Sequence, residues 1–176
     1  MEDESPTPLA RFDRIEASDD PAKFVECLEL QERTPAIQRW REQTYEQLWP
    51  ADGHAVVDVG CGTGTAVAAL AGLVGPTGRS IGVDLSGTLV DHARRNIGDM
   101  RGVELHVADA LALPLFDAEV DGYRAERLFQ HLPDQPGALA EAKRVLRAGG
   151  RIVIADGDPA SIAIDGTDKE IGRAHV

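Results

Sequence analysis

The chain has 176 residues, 43% of them hydrophobic, and a formal net charge of −12. That length and apolar content predict one globular domain and exclude a disordered chain, while the acidity repels phosphate backbones and argues against nucleic acid as a partner. No stretch is long and apolar enough to span a bilayer, and the acidic start Met1-Glu2-Asp3-Glu4-Ser5-Pro6 lacks the order of a signal peptide, so a cytoplasmic location is expected.

Residues 1–18 mix acids, prolines and polar groups and are read as a flexible arm. Residues 19–50 are expected to form a helical cap. A first helix starts at Pro21, with Phe24, Val25, Leu28 and Leu30 at helical spacing. A second runs over 35–48, opened by Pro35, with Ile37, Trp40, Tyr45 and Leu48 along one stripe. Pro50-Ala51-Asp52-Gly53 breaks the chain, and the domain proper is expected over 51–170.

From there strands and helices alternate. Strands are predicted at 55–59, 80–83, 103–107, 120–125 and 151–155. Helices are predicted at 66–73, 88–96 and 138–146, the last stopped by Arg147-Ala148-Gly149-Gly150. This rhythm predicts a parallel α/β sheet covered by helices on both faces, a Rossmann-like doubly wound fold. Cys27 and Cys61 are too isolated for a metal cluster, so no metal is expected. Cys27, among Phe24, Val25 and Leu28, reads as a buried small hydrophobe.

The segment that carries chemistry is Val57-Asp58-Val59-Gly60-Cys61-Gly62-Thr63-Gly64, placed after a strand and before a helix. Glycines let the backbone approach a ligand, and the following helix offers free N–H groups to an anion. A tight turn without a ligand has the same pattern, so the neighbours matter. Asp84 closes the second strand in Gly82-Val83-Asp84-Leu85-Ser86, where an acid can accept both ribose hydroxyls of an adenosine. Its alternative is a helix cap, a role open to Ser86 alone. Asp109 follows the third strand, where a carboxylate can accept an adenine amino group; its alternative is a solvated loop acid. The dinucleotide fingerprint wants Gly or Ala three residues after the second glycine, but Thr65 stands there, which disfavours a pyrophosphate.

Together these segments resemble the class I S-adenosylmethionine-dependent methyltransferases. The glycine loop resembles their first motif and Gly82-Val83-Asp84-Leu85-Ser86 their acidic second-strand motif. Ala108-Asp109-Ala110-Leu111-Ala112-Leu113-Pro114 resembles their adenine-side motif. Phe116-Asp117-Ala118-Glu119-Val120-Asp121-Gly122-Tyr123 is similar to the approach to their fourth strand, and Arg144-Val145-Leu146-Arg147-Ala148-Gly149-Gly150-Arg151 to the turn before their fifth. The match runs in order over residues 54–157. Its flavour is the small-molecule branch that includes the ubiquinone and menaquinone C-methyltransferases.

The resemblance implies S-adenosyl-L-methionine as cofactor and methyl transfer to a small molecule. It implies that Gly60 and Gly62 lie against the methionine part of the cofactor, with Cys61 and Gly64 also among the cofactor-binding residues. Asp58 would orient the loop or meet the cofactor's amino group. Asp84 and Leu85 would hold the ribose and flank the adenine, Asp109 and Ala110 would meet the adenine edge, and Arg124 would offer its backbone carbonyl to the methionine amine. Cys61 is not expected to act as a nucleophile. For the acceptor, Glu126, Arg127 and His131 follow the fourth strand. His131 is the candidate base, having a side chain suited to proton transfer, with capping of the helix-to-turn boundary before Leu132-Pro133-Asp134 as its alternative. Trp40 and Tyr45 either cover the ligand or only pack their helix. Two other functions stay open, a non-catalytic cofactor-binding fragment and a nicotinamide-dependent oxidoreductase.

Family members carry two further strands beyond the fifth, and about 20 residues after Ala155 are too few for them. The expectation is a C-terminally truncated sheet with a bare fifth strand. Ile171-Gly172-Arg173-Ala174-His175-Val176 matches the translation of a common sequencing adapter, so 171–176 is read as a non-native tail.

Overall fold

The computed structural model describes residues 20–157, so the expected arm and non-native tail fall outside the described residues. Two helices come first: α1 (Pro21–Glu32) and α2 (Pro35–Leu48), each with proline in its first turn, where no N–H is needed. The face that α2 buries differs from the expected stripe. It is Arg41, Thr44 and Leu48, with Ile37, Trp40 and Tyr45 only half-buried. Position sets this choice, because charged side chains of the sheet lie directly beneath the helix.

The alternation of strands and helices follows as β1 (Ala55–Val59), α3 (Thr65–Val74), β2 (Arg79–Asp84), α4 (Gly87–Ile97), β3 (Val103–Val107), β4 (Val120–Glu126), α5 (Gln135–Val145) and β5 (Leu146–Ala155). A 3-10 turn at Phe129–His131 joins β4 to α5. The sheet order is β3-β2-β1-β4-β5, and all four pairings are parallel. The chain builds outward from β1 to β3, then returns to place β4 on the other side of β1. Such a reversal leaves a crevice beyond the carboxyl ends of β1 and β4.

Side chains alternate across the sheet. Val57 and Val59 of β1, with Tyr123 and Ala125 of β4, face Ala138, Ala142 and Val145 of α5 in the larger core cluster. Val56 faces the other way, toward Leu48 of α2 and Leu70 and Val74 of α3. Asp58, Arg124 and Glu126 share the face of Val56, where the apolar core gives way to buried charge. A third cluster joins α1 to α4 through Phe24 and Leu89, with Val25 and Leu28 against them.

One element departs from expectation. Residues 147–150 do not stop the helix; they belong to β5, which begins directly at Leu146. The pairing slips between Val120↔Leu146 and Gly122↔Arg151, and Gly149, at φ +81, lies inside the slip. Arg147 pairs with Asp121, whose carboxylate also accepts the N–H of Ala55 at 2.8 Å, and this ties the irregular stretch to the sheet. β5 forms an edge of the sheet among the described residues, with Ile152 and Ile154 exposed.

Candidate functional site

The loop after β1 is fixed by β2. Gly60 and Cys61 both donate to the carbonyl of Val83, at 2.8 and 3.0 Å, and Gly62 donates to Asp84 Oδ2 at 2.8 Å. The other oxygen of Asp84 accepts the N–H of Ser86 at 2.9 Å. Burial raises the Asp84 carboxyl above the usual range, opposed by these N–H groups. The cap of α4 is Ser86, whose hydroxyl accepts from Leu89 at 3.2 Å, so Asp84 is not needed there.

A cavity of about 660 Å³ opens beyond the carboxyl ends of β1, β2 and β4. That is the size range of small-molecule sites. Asp58, Gly60, Cys61, Gly62, Asp84, Leu85, Asp109, Ala110, Arg124 and His131 all line it. Gly64 does not. Its φ is +81, and a Cβ there would lie 2.8 Å from both Ala93 Cβ and Ile97 Cδ1. This glycine serves the packing of α3 on α4 rather than a ligand. Gly60, at φ +75, is pressed instead by Leu128, 3.1 Å from where its Cβ would be.

One expected role changes, and Trp40, Tyr45 and His131 take the packing and boundary positions held open for them. Asp58 does not hold the loop: its Oδ1 accepts from Arg124 Nη1 at 2.5 Å, and loop orientation falls to Val83 and Asp84. Burial pushes the Asp58 carboxyl up, against the Arg124 charge beside it. Trp40 and Tyr45 lie outside the cavity lining. The Tyr45 ring instead lies 5.3 Å from the Arg124 guanidinium carbon, packed under α2. His131 ends the 3-10 turn Phe129–His131, at the expected helix-to-turn boundary, and the cap of α5 is Asp134, accepting from Gly137 at 2.9 Å.

Asp109 is exposed at the cavity rim, with Oδ1 accepting from Leu111 at 2.9 Å. Burial holds the Cys61 thiol well above its usual value, with Asp84 and Asp58 adding to the effect, so it stays protonated and a poor nucleophile. Cys27 is only half-buried, and its sulfur accepts from the Gln31 amide at 3.6 Å. Among the described residues no group of three His, Cys, Asp or Glu side chains could hold a metal ion, and no helix is long and apolar enough to cross a membrane.

Comparison with known proteins decides the family. A family profile described as "Methyltransferase domain" matches residues 57–154, more than half of the chain. The chain belongs to this methyltransferase domain family. Among similar curated proteins is an uncharacterized 37.1 kDa protein in a transposon of Streptomyces fradiae, 40% identical over 152 residues, which are 86% of this chain and 44% of that protein. Methyltransferase GfsG of Streptomyces halstedii is 38% identical over 144 residues, 80% of this chain and 49% of that one. A demethylmenaquinone methyltransferase of Staphylococcus saprophyticus is 35% identical over 114 residues, 65% and 49%. The chain thus spans about half the length of these relatives. A SAM-dependent methyltransferase from Aquifex aeolicus shares the fold, with a TM-score of 0.71 at 24% identity over 87% of this chain and 80% of that one. The methyltransferase domain is Rossmann-like, as the alternation of elements predicts.

Within this domain the sequence reading missed a buried ionic cluster at the inner wall of the cavity. Arg124 bonds Asp58, Glu126 and the Thr44 hydroxyl. Arg41 lies 3.4 Å from Glu126 Oε2 and 3.6 Å from Glu32 Oε1. Glu32 in turn accepts the hydroxyls of Thr63 and Thr65, each at 2.6 Å, and so fastens α1 over the glycine loop. One signal was legible: Arg124 and Glu126 place charge at alternate positions of a strand that should be apolar on both faces.

Proposed function

We propose that this chain is the cofactor-binding part of an S-adenosylmethionine-dependent methyltransferase whose acceptor is a small molecule. The observation that carries this reading is that Gly60, Gly62, Asp84, Leu85, Asp109 and Ala110 line one cavity at the carboxyl ends of the strands. The residues present fit an adenosyl group. Asp84 accepts the N–H groups of Gly62 and Ser86, with that of Leu85 also bonded to it, and its roughly four acceptor positions leave room for a ribose hydroxyl. Leu85, 56% exposed beside Asp84, is free to flank an adenine. When bound, the cofactor supplies a methyl group on a sulfonium, a good leaving group.

The rest falls to the protein's own side chains. The cap of α1 and α2 excludes water, and the walls orient the acceptor, which together supply much of the rate for an in-line displacement. His131, on the wall beyond Leu128, is proposed to take up a proton where the acceptor carries one. The net charge of −12 favours a small acceptor over nucleic acid.

The test is transfer of a labelled methyl group from the cofactor to small molecules of a cell extract by the whole protein. Label in one or more metabolites is the expected result. Cofactor binding with no transfer to any metabolite would favour a non-catalytic binding role instead.

A further inference from the structure

The first helix lies over the cavity with little apolar anchorage. Among the described side chains of α1, Phe24 alone is fully buried, against Leu89 of α4, with Val25 and Leu28 beside it. Leu30 is exposed. A short helix that buries so little depends on its remaining contacts to stay in place, and elements of this kind open locally before the core does.

Those remaining contacts are polar, and they fall in the last turn of α1. Glu29 Oε1 lies 3.0 Å from His92 Nε2 on α4. Gln31 Oε1 accepts from Arg127 Nη1 at 2.5 Å, just past β4. Glu32 gives both carboxylate oxygens to the glycine loop and the start of α3: Oε1 accepts the Thr63 hydroxyl and Oε2 the Thr65 hydroxyl, each at 2.6 Å. The three ties end on the three segments that contribute Leu89, Arg127 and Gly60 to Gly62 to the cavity. From the same helix Leu28, Gln31 and Glu32 line that cavity, and Leu28 Cδ1 lies 3.8 Å from where a Cβ of Gly62 would be.

Releasing this helix costs little. Thr65 is exposed and the Glu32 side chain is 16% exposed, so water can take over the hydroxyl bonds as they part. Arg41, 3.6 Å from Glu32, stays behind on α2, where Glu126 holds it at 3.4 Å.

We propose that α1 is a strap over the ligand site and that Glu32 is its latch; that the ligand is the adenosyl cofactor rests on the reading above. The ligand enters with Glu32 released from Thr63 and Thr65, and it is retained once the carboxylate has rejoined them. Ligand binding and the closed position of α1 therefore favour each other.

Hydrogen exchange and the dissociation rate of labelled S-adenosylhomocysteine, both on the whole protein, test this. Saturating S-adenosylhomocysteine should slow exchange of the α1 amides by about tenfold or more. Glu32→Ala should speed dissociation by about tenfold, the scale of hydrogen bonds to a charged group, and remove most of the protection that the ligand gives α1. Thr63→Val with Thr65→Val removes the latch from the opposite side and leaves α1 unaltered, so it should speed dissociation to a similar extent. Glu32→Gln, which keeps one acceptor oxygen, should restore part of the retention. Ligand-indifferent exchange in α1 would overturn the proposal, as would dissociation from Glu32→Ala within about twofold of the unaltered rate. Fast release from Glu32→Ala with an unaltered rate in the double valine variant would also overturn it, because Glu32 would then act through the folding of α1 alone. Failure of the unaltered protein to bind S-adenosylhomocysteine would instead count against the cofactor reading. The latch would then be read without ligand, as faster α1 exchange in Glu32→Ala, and unchanged exchange would overturn it.

Discussion

The carboxylate of Asp84 ties Gly62 and Ser86 together and still faces the cavity. It sets the glycine loop, and its proposed role is to contact the ligand as well. Asp84→Ala should weaken S-adenosylhomocysteine binding by roughly 1–3 kcal/mol through the lost ribose bond; unchanged affinity in calorimetry would remove Asp84 from the site. Asp84, Asp109 and the glycines were legible in the sequence because each stands at the end of a strand that the local pattern reveals. Arg41 and Glu126 were not legible as a pair. They stand 85 residues apart and meet only through the packing of α2 on β4. Asp58 shows the complementary failure: its place was legible but not its partner, since nothing local says that Arg124 lies alongside it in the β1–β4 register.

Among the elements, α3 and α4 show how the glycine loop is divided between binding and packing. Gly64 belongs to packing. Gly64→Ala must place a Cβ against Ala93 and Ile97 at a φ that favours glycine. The combined cost of a left-handed alanine and an overpacked contact is at least about 2 kcal/mol. A lowered urea midpoint checks this, and a midpoint equal to that of the unaltered chain would contradict it. Strand and helix positions were read well wherever hydrophobic period and turn residues agreed. The failure at residues 147–150 has a physical cause. A glycine pair after a helix normally stops it, but here Arg147 finds Asp121 and the stretch joins the edge of the sheet as an irregular start to β5.

At the scale of the molecule, one face of the sheet changes character along its length. Val56 packs under Leu48 and Leu70 in an apolar layer, while Asp58, Arg124, Glu126 and Arg41 fill the end nearest the cavity. Buried ion pairs are costly to break, because the remaining partner keeps its charge without compensation. Arg124→Met should therefore destabilise the fold by roughly 3–5 kcal/mol, with Asp58 and Glu126 left facing each other. Adding Asp58→Asn should recover part of the loss in urea unfolding; no recovery would show that Arg124 acts through packing alone. The charged end of this face has a use, since it forms a rigid wall beside the crevice where the sheet order reverses. A shared fold does not by itself fix the ligand. The decision therefore rests on the cavity, which pairs an acid at the tip of β2, proposed to bind a ribose, with a loop ill-suited to a pyrophosphate. The most direct measurement is a calorimetric titration of the chain with S-adenosylhomocysteine and, separately, with NADH. Saturable binding of S-adenosylhomocysteine with none of NADH is the predicted result, and binding of NADH with none of S-adenosylhomocysteine would contradict the assignment.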